Sequence, residues 1–382
     1  MKRTALAMTV IGIFLFALAA RADWSANKRL TWSSGASEKP SIAITPGGAL
    51  HVVWHDGSTG NYEIYYRKSL DEGMTWGTTQ RLTWTTGDSL VPKIAADSAG
   101  GIHVVWQDDT PITNDIYYRG STDGGSTWSA VKRMTMTSGE SYAPAIAVDP
   151  DNTIHVVWYD HTPGDPEIYY AKSEDGGPTW SAARRLTWTS DYSRAPAIAA
   201  QSAKDLHLVW SNNASGNDEV FYRKSQDGGS TWSAAQRLTY TSGGSYGSDL
   251  TVDSGGNICA VWYDYTPGFA DLYCRRSTDG GTNWGPIKRI TYTGGSTYGP
   301  AMALDINQVV HLAFYDDSPG LYEIYYKKSL DGGATWSATQ RLTWTSLWSE
   351  YPAIAVDSNY TVHIVWGDFT PGNYEVYYKR GS

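Results

Sequence analysis

The fold is decided by a short stretch in which residues 121–128 read STDGGSTW. In this pattern the aspartate can accept hydrogen bonds from turn N–H groups, and the glycine takes backbone angles that other residues resist. We therefore predict that these aspartates build turns and do not carry chemistry. Six copies at a spacing of 52 residues contain the pattern or a close variant, with their aspartates at Asp71, Asp123, Asp175, Asp227, Asp279 and Asp331.

The whole chain repeats with the same period. Each copy holds four strand-like segments, which in the third copy are 145–148, 153–158, 167–172 and 179–185. Four short antiparallel strands per repeat, in seven repeats, are typical of a seven-bladed β-propeller, an all-β fold. One arginine opens each copy, at Arg29, Arg81, Arg133, Arg185, Arg237, Arg289 and Arg341.

The two ends of the repeat region predict how the ring closes. The last copy stops after its third strand, whereas Trp24 matches the tryptophans that open the fourth strand elsewhere. The segment Trp24–Trp32 is therefore predicted to supply the missing outer strand of the last blade. Such a velcro closure covers a sheet edge that would otherwise be open to aggregation.

The 52-residue unit resembles the Asp-box (BNR) repeat of the sialidase superfamily of propellers. The resemblance covers nearly all of residues 23–382 and implies that the Asp-box turns lie opposite the functional face. A sialidase of this superfamily uses three arginines on the substrate carboxylate, a tyrosine–glutamate nucleophile pair and an acid/base aspartate. This chain lacks the early Phe/Tyr-Arg-Ile-Pro motif and the inserted loops, so no catalytic residue is carried over.

The first 22 residues have the pattern of a secretory signal. Lys2 and Arg3 precede an almost wholly apolar run, 6–18, and residues 20–22 form a small-x-small cleavage site. A membrane anchor is the alternative, but the run is short for a span. We predict cleavage after Ala22, a secreted or extracytoplasmic location and no membrane span in the mature chain.

Histidine and tyrosine recur in fixed registers of the second and third strands, and the two cysteines replace them together in the fifth copy. Cys259 stands where six copies have histidine, and Cys274 stands where six copies have tyrosine. If the two residues oppose each other, a disulfide can bridge them. We predict a Cys259–Cys274 disulfide, and cross-strand His–Tyr contact in the other blades.

The loop face opposite the Asp boxes presents two rings of acids. One ring includes Asp160, Asp264 and Asp316 as candidate ligand-binding residues. The alternative, that these acids cap turns, is favoured because Asp is a standard turn residue. A further register varies between copies and should rim the channel mouth, near Lys93, Asp249 and Trp348. It reads Glu38, Leu90, Tyr142, Arg194, Tyr246, Tyr298 and Glu350.

Two classes of function remain open at this point. The first is a binding or scaffold propeller for extracellular glycans or proteins, with Arg194, Tyr142, Tyr246, Tyr298 and Trp348 as candidate ligand contacts. The second is a sialidase-like exo-glycoside hydrolase, which would need further arginines near Arg194. The net charge of −9 is unfavourable for binding nucleic acid or anionic lipid. We expect a monomer and no cofactor or metal site, although calcium stays possible without a specific motif.

Overall fold

The structure, a computed structural model, describes residues 24–110, 112–214 and 216–381. The predicted signal segment 1–22 therefore lies outside the described residues. Within them the chain forms seven four-stranded antiparallel sheets and no helix. The first strands of neighbouring sheets contact each other, and all seven line one central cavity. The predicted seven-bladed propeller is confirmed.

The first and second strands of each blade form its inner half. The first strands have eight residues and are β2 Ser37–Ile44, β6 Ser89–Ala96, β10 Ser141–Val148, β14 Ser193–Ala200, β18 Ser245–Val252, β22 Thr297–Leu304 and β26 Ser349–Val356. The second strands are almost wholly buried and are β3 Leu50–Asp56, β7 Ile102–Asp108, β11 Ile154–Asp160, β15 Leu206–Asn212, β19 Ile258–Asp264, β23 Val310–Asp316 and β27 Val362–Asp368.

The third and fourth strands form the outer half. The third strands are β4 Glu63–Ser69, β8 Asp115–Ser121, β12 Glu167–Ser173, β16 Glu219–Ser225, β20 Asp271–Ser277, β24 Glu323–Ser329 and β28 Glu375–Gly381. The fourth strands have two residues and are β1 Lys28–Arg29, β5 Gln80–Arg81, β9 Lys132–Arg133, β13 Arg184–Arg185, β17 Gln236–Arg237, β21 Lys288–Arg289 and β25 Gln340–Arg341.

The fourth strands are much shorter than the sequence predicts. The prediction for the third copy begins the strand near Trp180, but only Arg184 and Arg185 pair with the third strand. Trp180 instead packs edge-on against Tyr118 of the preceding blade, with ring centroids 5.1 Å apart. The tryptophan therefore fills the space between sheets before the ladder begins.

The ring closes through the N-terminal strand, as predicted. β1 is the outer strand of the seventh blade, where Lys28 pairs with Tyr378 and Arg29 with Tyr377. Trp24 packs on Tyr326 of the sixth blade, with ring centroids 5.0 Å apart. Blade one is β2–β5, and the following blades are numbered along the chain to blade seven, which is β26–β28 with β1.

The hydrophobic core lies between adjacent blades. Each cluster of buried apolar side chains joins residues of two neighbouring sheets, as Tyr66 of blade one joins Trp106 of blade two. Tyr66 and Trp106 are among the largest side chains that are almost wholly shielded from solvent. Burial of large aromatic side chains between sheets is the dominant stabilising term of such a ring.

The Asp-box turns lock neighbouring blades together on one face, which we call the Asp-box face. The Ser121 hydroxyl donates to Asp123 at 2.8 Å, and the Thr127 amide donates to the same carboxylate at 2.8 Å. In the following box, Gly176 accepts a 3.0 Å hydrogen bond from the Tyr118 hydroxyl of the preceding blade. A Cβ at Gly177 would lie 2.1 Å from that hydroxyl, so the close approach requires glycine.

The predicted His–Tyr contact is present, but its register is diagonal. His51 Nδ1 lies 2.7 Å from the Tyr66 hydroxyl, although Tyr66 directly faces Val53 across the ladder. The same offset in blade five places Cys259 opposite Arg276 and Cys274 opposite Val261. Both cysteines are free and buried, so the predicted disulfide is wrong. The error came from assuming direct opposition, because diagonal Cβ atoms lie farther apart than a disulfide spans.

Candidate functional site

The residues that differ between copies meet at the channel mouth, on the face opposite the Asp boxes. Each blade contributes three registers there: the second residue of its first strand, the sixth of its second strand and the residue before its third strand. The first two face each other across the ladder, as Tyr142 faces Tyr159. In blades one to seven these mouth triplets are Glu38, His55, Tyr62; Leu90, Gln107, Asn114; Tyr142, Tyr159, Pro166; Arg194, Ser211, Asp218; Tyr246, Tyr263, Ala270; Tyr298, Tyr315, Tyr322; and Glu350, Gly367, Tyr374.

A bulge in every first strand gives the rim its shape. In blade three the register shifts between Tyr142 and Ala145, and Ala143 has a φ of 46° before a proline. Val91 has a φ of 52° at the same point of blade two, where a β-branched residue is rare. Gly247 and Gly299 fill this position in blades five and six, where a Cβ would meet a tyrosine ring. A bulge re-aims the side chains beside it, here the rim residues.

Seven tyrosines pack together where blades five, six and seven reach the mouth. Tyr298 is at the centre, with ring centroids 5.1 Å from Tyr263 and 5.8 Å from Tyr315. The hydroxyls of Tyr265 and Tyr298 are 3.1 Å apart. Tyr265 and Tyr351 remain 38% and 37% exposed, so the cluster presents aromatic faces to solvent. We call this group the tyrosine cluster; its members are Tyr246, Tyr263, Tyr265, Tyr298, Tyr315, Tyr322 and Tyr351.

Two carboxylates adjoin the tyrosine cluster where blade seven meets blade one. Glu350 accepts a hydrogen bond from the Tyr374 hydroxyl, and Glu38 interacts with Tyr62. Burial raises the pKa of Glu350. Burial, with repulsion from Glu350, also raises the pKa of Glu38, while nearby Lys39 opposes the shift. The pair therefore supplies two partly desolvated carboxyl groups beside exposed aromatic rings.

Trp348 extends this surface outward. Its ring is 42% exposed and lies 5.7 Å from the ring of Phe369. Phe369 in turn lies 5.0 Å from Tyr374, the residue that hydrogen-bonds Glu350. The candidate Trp348 thus joins Tyr246 and Tyr298 in one continuous arc of the mouth.

Arg194 and Tyr142 lie on the neighbouring arc of the mouth, in blades four and three. Arg194 is not the lone guanidinium that the sequence suggested, because it forms an ion pair of 3.1 Å with Asp218. Its side chain keeps 43% of its exposure. Tyr142 donates to Glu140 at 2.6 Å, and burial, with this bond, raises the pKa of Tyr142 to about 12. Both residues sit at the mouth, and Asp218, the ion-pair partner of Arg194, also interacts with Tyr246 of the tyrosine cluster.

The predicted acidic ring is structural, which corrects the assignment of Asp160, Asp264 and Asp316 as ligand contacts. Their side chains are at most 1% exposed. Asp160 accepts hydrogen bonds from the Ser141 hydroxyl and the Thr162 amide, each at 2.7 Å. Equivalent bonds hold Asp264 and Asp316. These carboxylates are consumed in capping the hairpin turns.

The second predicted acidic ring neutralises the arginines that open the copies; its members are Glu63, Asp115, Glu167, Glu219, Asp271, Glu323 and Glu375. Arg185 binds Glu167 at 2.8 Å, and Glu167 is fully buried. The same pairing recurs in every blade and includes Arg29 with Glu375 across the ring closure. These guanidinium groups lie in the outer strands, where they are paired. Among the residues described, Arg194 is therefore the arginine at the mouth.

One register of the first strands, below the mouth, carries one lysine and one aspartate. A cavity of about 490 Å³ is lined by the first strands, including Lys93 and Asp249. Asp249 accepts hydrogen bonds from the Leu250 and Met302 amides, both at 2.8 Å. Burial lowers the pKa of Lys93, while Asp249 offsets part of the shift. The other five blades place serine or alanine at this register.

No group of three or more His, Cys, Asp or Glu side chains within 24–110, 112–214 and 216–381 could hold a metal ion. None of the same residues belongs to a helix long and apolar enough to cross a membrane. Sequence reasoning missed Tyr263, Tyr315, Tyr322 and Tyr374 at the mouth. A comparison of all 52 registers would have found them, because they occupy registers in which the type of residue changes strongly between copies.

A family model described as BNR repeat-like domain matches residues 164–364. Invertase 1 of Saccharomyces cerevisiae is 24% identical over 203 residues, which are 52% of this chain and 32% of invertase. The chain thus matches about a third of that relative's length.

Two solved structures show the same architecture at low identity. An ulvan lyase of polysaccharide lyase family PL25, bound to -[GlcA(1-4)Rha3S]-, has a TM-score of 0.64 and 11% identity, covering 92% of this chain and 95% of that chain. The NanB sialidase from Streptococcus pneumoniae has a TM-score of 0.52 and 12% identity, covering 93% of this chain and 70% of that chain. These likenesses show a shared fold.

Proposed function

The chain belongs to the BNR repeat-like domain family, and from that premise we propose that it is an exported carbohydrate-binding propeller. Its combining site is the arc of the mouth formed by the tyrosine cluster, Glu38, Glu350 and Trp348. The observation that carries the proposal is that the registers that vary between copies meet in one place. There they supply aromatic faces together with carboxylates.

Aromatic rings and carboxylates are the groups that a sugar needs. The apolar face of a sugar ring stacks on an exposed aromatic face, and tyrosine combines such a face with a polar hydroxyl. Carboxylates accept hydrogen bonds from sugar hydroxyls and are stronger acceptors than neutral groups. The sialidases and polysaccharide lyases with this fold act on carbohydrates according to their names, which supports the same ligand class here.

A glycan array tests the proposal most directly. The full mature chain is expected to bind a restricted set of glycans, with and without calcium. Tyr265→Ala removes an exposed aromatic face and should weaken that binding, whereas Leu70→Ala on the Asp-box face should not. A blank array, or equal loss with both variants, would reject the site.

Glycoside hydrolysis is the second candidate, and the carboxyl pair favours it. Hydrolysis of a glycosidic bond uses two carboxyl groups, one as acid and one as base or nucleophile. Burial raises the pKa of both Glu38 and Glu350, which is the direction that an acid needs. If the mouth is hydrolytic, turnover of a fluorogenic glycoside panel should be lost in both Glu38→Gln and Glu350→Gln. Turnover of a sialoside that depends on Arg194 would instead support the sialidase alternative, which the Arg194–Asp218 ion pair disfavours.

A further inference from the structure

Large apolar side chains stand exposed at one register around the outside of the ring. They follow the two-residue outer strands, directly after a buried leucine or isoleucine, or the partly buried Met134, and a buried threonine. We call this set the outer ring. Its members, with their exposed fractions, are Trp32 69%, Trp84 66%, Met136 78%, Trp188 65%, Tyr240 70%, Tyr292 76% and Trp344 68%.

A fixed guanidinium lies against each aromatic ring of this set. The Arg81 guanidinium carbon is 5.7 Å from the centre of the Trp84 ring. Arg81 cannot swing away, because it donates to the Thr83 carbonyl at 2.6 Å and to buried Glu63 at 2.7 Å. Cation–π contact with an immobile partner holds the Trp84 ring in one orientation. The same contact occurs for the other aromatic members.

A second cation reaches the same aromatic ring from the next blade. Arg119 is 5.9 Å from the Trp84 ring and hydrogen-bonds the Leu82 and Ser129 carbonyls. Six blades have an arginine or lysine at this register, and blade three has Ala171. Ala171 has the same position relative to Met136 that Arg119 has relative to Trp84. The chain therefore loses the aromatic ring and the second cation at the same place, which indicates that the two work as one unit.

The exposure of these rings exceeds what a structural clamp requires. The Arg119 guanidinium already bridges two blades through carbonyls, and a ring that only covered it would be largely buried. Single exposed apolar residues are common on proteins, but seven at one register are not scattered. Each unit thus presents one aromatic face, rigid and open to water.

We propose that the aromatic members of the outer ring are six equivalent sites for a neutral polysaccharide, separate from the mouth. Neutral sugar rings stack on such faces, and a polymer of repeating sugars suits sites that repeat around a ring. The Arg81–Glu63 ion pair and the net charge of −9 favour a neutral polymer. Arg119, which binds only carbonyls, leaves one positive charge beside Trp84, so an acidic polymer is the competing ligand in the test. Weak contacts at several sites add up through the high effective concentration that follows the first contact.

The test compares loss and gain of sites on the full mature chain. The probes are soluble neutral polysaccharides, namely xylan, galactomannan and hydroxyethyl cellulose, with alginate as the acidic comparator, in affinity gels. Trp84→Ala should weaken binding to one neutral polymer by roughly 3- to 10-fold, and the triple variant Trp84→Ala, Trp188→Ala, Trp344→Ala by roughly 100-fold, as expected for lost avidity. Met136→Trp with Ala171→Arg builds the missing site and should strengthen binding several-fold.

Matched controls keep these results interpretable. Leu70→Ala removes an apolar side chain that is 76% exposed on the Asp-box face and should leave binding unchanged. Tyr298→Ala alters the mouth, so its effect is independent of the outer ring. If the polysaccharide in the gel slows the triple variant as much as the unaltered protein, the outer ring has only a structural role. A fall in thermal stability without a fall in affinity would have the same meaning. Binding of alginate alone, abolished by salt, would overturn the assignment to neutral polymers.

Discussion

The Asp-box face and the mouth are built by the same seven repeats, yet they differ in what changes from copy to copy. At the Asp-box face the serine hydroxyl meets the aspartate at 2.8–2.9 Å in six successive turns. At the mouth, the second residue of the first strand is glutamate, leucine, tyrosine or arginine, depending on the blade. The repeated face sets the geometry of the ring, and the varied face can change its chemistry without disturbing that geometry.

The largest contrast is expected between two arginines. Arg185→Ala leaves Glu167 buried and without its cation, which should cost about 3–5 kcal/mol of unfolding free energy. Arg194→Ala removes a partly exposed ion pair at the mouth and should cost about 1 kcal/mol or less. Urea denaturation of both variants measures the difference. Equal losses would mean that the mouth is as much a part of the scaffold as the outer strands.

Acid should lower the free energy of unfolding by protonating the buried histidines of the second strands. Burial lowers the pKa of His51 and of His207 to about 4, against an ordinary value of 6.5. The unfolded chain therefore takes up these protons first, so stability is full above pH 6.5 and falls as the pH drops towards 4. Because protonation is linked to unfolding, the free energy of unfolding should fall by on the order of 3 kcal/mol for each of these two histidines. Denaturation midpoints at several pH values measure it, and His51→Gln should flatten the profile.

Substitution of two tyrosines, one at each face, distinguishes ligand binding at the mouth from stabilisation at the Asp-box face. Tyr298→Ala removes the centre of the tyrosine cluster and should lower glycan affinity roughly 10- to 100-fold, as truncation of a central aromatic contact does. Tyr118→Phe removes only the hydroxyl that reaches the next Asp box, and should cost about 1 kcal/mol of stability without changing affinity. Calorimetric binding and thermal unfolding of both variants check the result. Reversed effects would exchange the roles assigned to the two faces.

The smallest effect is expected from substitutions that give blade five the His–Tyr pair of the other blades. Cys259→His with Cys274→Tyr restores the hydrogen-bonded pair of the other six blades and should stabilise the protein by about 1 kcal/mol. Thermal unfolding measures the gain. In the unaltered protein, both thiols should react with a thiol reagent only after denaturation, since both are buried. One bond between them in the oxidised, folded protein would contradict the observed register.

The sequence was sufficient for the architecture because a fixed period and a closing strand constrain topology strongly. It failed where the outcome depended on register or on the state of a side chain. The Cys259–Cys274 prediction assumed direct opposition, and a two-residue diagonal removed the bond. Asp160 was predicted correctly in position, but its environment, fixed by the Ser141 hydroxyl and the Thr162 amide, leaves it no free oxygen for a ligand. The tyrosine cluster joins residues far apart in the chain, which no single motif reveals.

The joint where the chain ends meet repeats the strand contacts of the other joints, although it has no Asp-box turn. Arg29 binds Glu375 at 2.7 Å, as Arg81 binds Glu63 at 2.7 Å, and the Leu30 amide meets Val376 at 2.7 Å, as the Leu82 amide meets Ile64. The strand contacts of the ring therefore do not distinguish the joint that the chain leaves open. A circular permutant that is opened between two other copies, and linked across the present joint, would keep the strand partners of every blade.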